Sequence, residues 1–172
     1  MMSVARRLLS ALLAGAALSP GLAAAAEPHA VATYRDWTVF TREVGGDLVC
    51  YAVAEARGKE PRTVNHGDVF MLVSTWRSGA AVEQPSFMTA DYEMRDRSNP
   101  TARVGSDKWD MFVSGHEAFI EDDSGEKGLV NAMKRGSELR VSAVSSRGTR
   151  TEYEISLLGL TKALDAAKKA CG

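Results

Sequence analysis

The C-terminal stretch 147-RGTRTEYEISLLGLTKALDAAKKAC-171 reads as turn, strand, turn, helix and cysteine. From Thr151 to Leu158 the residues alternate. Tyr153, Ile155 and Leu157 fall on one face and Glu152, Glu154 and Ser156 on the other, the period of a half-buried antiparallel strand. Gly159 ends the strand because the backbone must turn sharply there. The spacing then predicts a short helix capped by Thr161, with Leu164, Ala167 and Cys171 on one stripe and Lys168 and Lys169 at the end where the helix dipole favours cations. Such a helix delivers Cys171 to the body of the fold, and one other cysteine, Cys50, exists to receive it.

Residues 1–26 carry the marks of a signal peptide: Arg6 and Arg7, an apolar run from Leu8 to Leu18, and an Ala24-Ala25-Ala26 cleavage site. The run is shorter than the roughly 20 residues a membrane-spanning helix needs, and the mature chain contains no transmembrane segment. Cleavage leaves residues 27–172 as a single domain. The 21 basic residues become 19 on losing two arginines, against 22 acidic, for a net charge of −3. That balance argues against nucleic acid as a partner, since such binders show a basic patch. In an exported chain a lone cysteine pair reads as a Cys50–Cys171 disulfide, with two buried thiols as the alternative.

Residues 27–32 read as a loose lead-in. Thr33 to Phe40 forms a first strand, in which Trp37 lies opposite polar Asp36 and Thr38 and faces inward. A Gly45-Gly46-Asp47 turn leads to a second strand, Leu48 to Ala54. A polar loop, Arg57 to Gly67, precedes Asp68 to Trp76, whose unbroken Val69-Phe70-Met71-Leu72-Val73 suggests burial on both faces. Short strands follow at Phe87–Tyr92, Arg103-Val104, Trp109–Val113 and Ala118–Ile120. Glu121 to Glu126 reads as an acidic turn, Leu129 to Lys134 as a helical turn stopped by Gly136, and Glu138 to Ser145 as an alternating strand. Eight or nine short strands with frequent turns predict an all-β protein, an antiparallel β-sandwich or flattened barrel with a short C-terminal helix.

No motif points to a reaction. His29, His66 and His116 lack metal-ligand spacing and read as scattered surface residues. The Glu121–Glu126 run lacks the alternating spacing of a calcium loop and reads as a solvated turn. No nucleophile elbow occurs. Ser114 and His116 share a side of their strand, which leaves a hydrolase as the alternative function, although Glu117 points the other way. Catalysis by Cys50 would require a reduced thiol in an oxidising compartment. No cofactor or metal is expected. Trp37, Trp76, Trp109 and Tyr92 form the candidate binding surface, against the plainer reading that strand aromatics pack the core. The loops Arg57–Gly67 and Arg77–Ser86 are where a site would sit.

Taken with Asp36-Trp37-Thr38-Val39, Cys50-Tyr51, Phe70-Met71-Leu72-Val73, Leu129 to Gly136 and Arg147-Gly148-Thr149, the ending Ser156 to Leu164 followed by Cys171 resembles the invasion-associated locus B family of exported alphaproteobacterial proteins. The resemblance implies a mostly β single domain linked to the cell envelope, periplasmic or secreted, with a host-interaction role in some members and no catalytic residues to carry over. Many relatives have a glycine before the D-W-T-V stretch and a cysteine soon after it. Here Arg35 stands before Asp36 and Phe40-Thr41 follow Val39, so a second bridge of that kind is absent. The function expected is that of an exported, non-enzymatic envelope protein binding an envelope or host protein or a small ligand. A purely structural envelope subunit is the further alternative.

Overall fold

The computed structural model describes residues 27–172; the expected signal peptide lies outside them. The chain opens with a strand, β1 (His29–Tyr34), where a loose lead-in was expected. β1 pairs antiparallel with β2 (Trp37–Val44), so the stretch Thr33–Phe40 is two strands rather than one. The break is at Arg35, whose φ of 57° is a left-handed turn conformation. Gly45 and Gly46, both at positive φ, make the two-residue turn into β3 (Asp47–Glu55). The polar loop contributes a three-residue strand, β4 (Gly58–Glu60), before β5 (Val69–Trp76) and β6 (Gln84–Thr89).

After β6 the strands shorten to β7 (Thr101–Val104), β8 (Asp107–Asp110), β9 (Phe112–Ser114) and β10 (Glu117–Phe119). The expected strand Trp109–Val113 is divided at buried Met111, where the chain passes from one sheet to the other. Helix α1 (Asp123–Arg135) follows, then β11 (Glu138–Val144), β12 (Arg150–Ser156) and helix α2 (Leu160–Cys171). The strands form a seven-stranded sheet, β1-β2-β3-β5-β6-β10-β9, and a five-stranded sheet, β4-β12-β11-β7-β8, with every pairing antiparallel. This is an all-β sandwich with a C-terminal helix, and it is not a closed barrel.

The inward residues of the two sheets meet in one hydrophobic cluster. Leu139, Val141, Tyr153 and Ile155 come from the five-stranded sheet, and Val39, Ala52, Met71, Val73 and Phe87 from the seven-stranded one. Both helices add to this cluster, α1 through Leu129, Val130 and Met133 and α2 through Leu160, Ala163, Leu164 and Ala167.

Helix α1 is longer than a helical turn, and the reason lies in the acidic run. Asp122 is its N-cap and accepts the Gly125 N–H at 2.9 Å, while Asp123 and Glu126 sit in the first turn beside the positive end of the dipole. The run is therefore a helix start rather than a solvated turn. The cap of α2 also differs from expectation. Thr161 lies inside the helix, and the N-cap is Gly159 at φ 100° with no side-chain cap.

Gly159 is fixed by close approach. A Cβ there would lie 1.9 Å from the Tyr34 carbonyl oxygen, because the β12–α2 turn is pressed onto the β1–β2 turn. Across that contact the Asp36 N–H donates to Leu158 O at 3.3 Å, and Trp37 Nε1–H donates to Ser156 O at 2.9 Å. Ser156 Oγ donates to Asp36 Oδ2 at 2.7 Å, and Arg57 pairs with the same carboxylate. Trp37 is completely buried, so its indole N–H has no access to water and the Ser156 carbonyl is its partner. At the other end of α2, Cys171 is bonded to Cys50, with Cα atoms 5.8 Å apart across 121 residues of sequence.

Two predictions follow from this arrangement. Replacing Cys50 or Cys171 by Ser lowers unfolding stability by about 2–4 kcal/mol, measured by urea denaturation, and both variants melt alike; unchanged melting of both would refute the clip. The second concerns acid. The Ser156 hydroxyl, and then Arg57, hold the Asp36 carboxyl below its ordinary pKa of 3.8. A depressed carboxylate stabilises the fold above the unfolded-state pKa, and that contribution is lost as pH falls through the lower folded value. The Asp36→Asn variant should therefore lose less stability than the parent between pH 4 and pH 2. Parallel acid profiles of the two proteins would rule this out.

Candidate functional site

Three connections converge at the end of the sandwich where β11 turns into β12. The β4–β5 loop brings Val64–Gly67, the segment after β6 brings Asp91–Glu93, and the hairpin turn brings Ser145–Arg147 and Thr149. They enclose a cleft of about 460 Å³. The segment after β6 is fastened on both sides. Arg95 N–H donates to Val144 O at 2.8 Å, Ser146 N–H to Glu93 O at 2.9 Å, and Thr89 Oγ1 to Tyr92 O at 2.6 Å. The loop holds its shape through Gly67 at φ 59°, where a Cβ would lie 2.0 Å from Asp91 Oδ2. That approach lets Asp91 accept the Asp68 N–H at 2.8 Å.

The floor of the cleft is a chain of three side chains. Tyr92 Oη lies 2.6 Å from Tyr153 Oη, which lies 3.0 Å from His66 Nδ1, and His66 Nε2 lies 3.0 Å from the Pro61 carbonyl oxygen. The directions of these bonds follow from the end of the chain. A carbonyl oxygen can only accept, so in the neutral imidazole Nε2 carries the hydrogen and Nδ1 is an acceptor. Tyr153 then donates to His66 and accepts from Tyr92. Burial pushes the Tyr153 phenol well above its ordinary pKa, so it remains a neutral hydrogen-bond group rather than a phenolate. Tyr92 and His66 line the cleft together with Arg147, Asp91 and Glu93.

This network departs from one expectation. His66 is 7% exposed and edge-on to Tyr153, not a surface residue. His116 is exposed, but its Nδ1 lies 3.0 Å from the carbonyl oxygens of both Thr89 and Tyr92, so it pins the segment that carries Tyr92. Ser114 ends β9 and His116 lies in the tight turn that follows it, and no hydrogen bond joins them. They form no triad. Among the described residues no group of three or more His, Cys, Asp or Glu is placed to hold a metal ion.

The four aromatic residues of the candidate binding surface do not converge. Trp37 is in the core, at 0% exposure, and offers no surface. Trp76 ends β5, and Trp109 lies on β8 against Gly128 of α1. Tyr92 alone lines the cleft. His66 and Tyr153 were missed as site residues because each belongs to a pattern with a plainer meaning: a lone histidine in a polar loop, and an inward position on an alternating strand. A Tyr at such a position needs a partner for its hydroxyl, and that was the available signal.

The class defined so far is a disulfide-closed β-sandwich with a polar cleft at one end. The family model for invasion associated locus B (IalB) protein matches residues 37–168, and the chain belongs to this family. Comparison with curated proteins and with solved structures returns no match.

Removing the Tyr153 hydroxyl tests the floor of the cleft. Tyr153→Phe strands His66 Nδ1 and the Tyr92 hydroxyl together, and the expected cost is about 1–3 kcal/mol in urea unfolding. The His66 imidazole should appear as the Nε2–H tautomer in ¹⁵N-resolved NMR; an Nδ1–H tautomer would reverse the order of donors.

Proposed function

We propose that this chain is an exported, non-catalytic envelope protein that holds a small polar ligand in the cleft over Tyr92. Family membership and a lone cysteine pair joined to each other support export to an oxidising compartment. The observation that carries the binding reading is the hydrogen-bonded chain from Tyr92 through Tyr153 to His66. It fixes the Tyr92 phenol in the wall of the cleft with its hydrogen directed to Tyr153. A preformed polar group on an anchored loop lowers the ordering cost of binding. The cleft carries both signs of charge, Arg147 against Asp91 and Glu93, together with the hydroxyls of Ser145, Ser146 and Thr149. That lining suits a ligand with several hydrogen-bond donors and acceptors better than an apolar one.

The test is native mass spectrometry of the protein released gently from its own cell envelope. The expected spectrum shows a chain beginning at Glu27, lighter by the two hydrogens of one disulfide, with a discrete small-molecule adduct. The adduct persists in Ser114→Ala and is lost in Tyr92→Phe and Arg147→Ala. A bare chain, or an adduct indifferent to Tyr92 and Arg147, would overturn the assignment of the cleft.

A further inference from the structure

The outer face of the five-stranded sheet carries a row of like charges. The register sets Arg140 of β11 opposite Arg103 of β7, and Arg103 opposite Lys108 of β8. Like charges directly opposite on neighbouring strands, with Cβ atoms about 5 Å apart, destabilise a sheet. Two of the three cations are answered within the chain. Arg140 lies 2.8 Å from Glu138 and 2.9 Å from Glu154, and Lys108 lies 2.8 Å from Asp110. Arg103 stands between them, exposed, and has no ion pair among the described residues.

A second cation of this kind meets it. The β7–β8 turn and the end of α1 enclose a cleft of about 730 Å³, and Arg103, Arg135 and Arg140 all line it. The cleft lies at the β11 end remote from Tyr92 and shares no residue with the cleft there. Arg135 is in the last turn of α1, where the helix dipole favours a cation. Its neighbour Lys134 is bound to Glu83 at 2.6 Å, whereas Arg135 is exposed and has no ion pair among the described residues. Two carboxylates face the three arginines. Glu138 is already the partner of Arg140, and Asp107 is the other. The lining therefore keeps one positive charge. Ser106 in the turn and Ser137 after α1 are exposed on the same rim, and neither hydroxyl makes a hydrogen bond among the described residues.

We propose that this cleft binds the phosphate group of a phosphorylated ligand between Arg103 and Arg135. An anion there relieves the repulsion at the centre of the row, which the chain itself leaves unanswered. The choice of anion follows from the donors. One guanidinium fork satisfies a carboxylate in a single plane, whereas a tetrahedral oxyanion presents oxygens on several sides and takes donors from two separate elements. A phosphate monoester carries about two negative charges near pH 7, which two guanidinium groups match. The cleft is far larger than a phosphate ion and leaves room for the group esterified to it.

The experiment is a titration of ¹⁵N-labelled protein, expressed from its full sequence and purified as the cell leaves it, with glycerol 1-phosphate at constant ionic strength. Beside it runs flotation with vesicles of phosphatidylcholine, alone or mixed with phosphatidic acid. Saturable shifts of the Gly105, Ser106 and Ser137 amides are expected. Arg103→Gln and Arg135→Gln each weaken binding about tenfold, the loss of one charge-assisted hydrogen bond. Asp107→Asn removes the opposing carboxylate and tightens it. Arg103→Gln leaves the melting temperature unchanged or raised, because it relieves the row, and this separates a binding role from a structural one. Flotation only with phosphatidic acid, lost in Arg103→Gln, assigns the phosphate to a lipid headgroup. Binding of the soluble ester without flotation assigns it to a free phosphorylated molecule. Absence of both saturable shifts and flotation, or binding indifferent to both arginine variants, overturns the proposal.

Discussion

The contact between two turns, Tyr34–Trp37 and Ser156–Gly159, fixes how the two sheets meet. It joins the first hairpin of one sheet to the last strand of the other through Asp36, Trp37, Ser156 and Leu158. The approach is too close for any side chain at position 159, and the left-handed conformation there turns the chain from β12 into α2 without a spacer. An Asp-Trp pair meets both demands of the partner turn: a carboxylate for the Ser156 hydroxyl, and an indole that fills the core while its N–H satisfies a buried carbonyl. The Asp36-Trp37 and Ser156–Gly159 sequences are thus two halves of one structure, 120 residues apart.

Much of the fold was legible because its strands obey a simple period. β11 and β12 alternate, with Leu139, Val141, Ala143, Tyr153 and Ile155 all buried, and the break at Ser156 is where the turn contact covers the strand end. The Gly45-Gly46 turn and the inward stripe of α2 were equally plain. What was not legible depended on partners distant in sequence. β1 is a strand because β2 lies beside it, and nothing in Glu27–Ala32 favours β structure by itself. Helix α1 was shortened in the reading because Glu121–Glu126 looked like a charged turn, although Asp122 three residues before Gly125 has the spacing of a cap. The Val69–Val73 run was misread in a different way. Its composition is that of a doubly covered strand, yet Val69, Met71 and Val73 are buried while Phe70 and Leu72 are half-buried.

The candidate site was less legible than the fold, and the reason is geometric. Its floor draws on a loop after β4, a segment after β6 and an inward position of β12, so no local spacing links His66, Tyr92 and Tyr153. Strand periodicity assigned Tyr153 inward but is silent on what its hydroxyl meets. Aromatic content pointed to tryptophans, which serve packing at Trp37 and Trp109, whereas the polar tips of two tyrosines and a buried imidazole build the cleft.

Helix α2 is held at both ends by the same sheet. Gly159 presses its start against the β1–β2 turn, and Cys171 binds its end to β3. β1, β2 and β3 therefore form a platform braced from the core side along its length. The cleft sits at the opposite end of β12 from the turn contact, ~20 Å away at ~3.3 Å per residue. Its three connections are tied to one another by Asp91, Arg95, Ser146 and His116 rather than to α2. The architecture separates two mechanical roles. The contacts of α2, of long sequence separation, converge on one end of the sandwich, and at the other end the three connections are tied to each other over the buried pair His66 and Tyr153. Tying the connections to one another keeps the cleft preformed without any contact from α2.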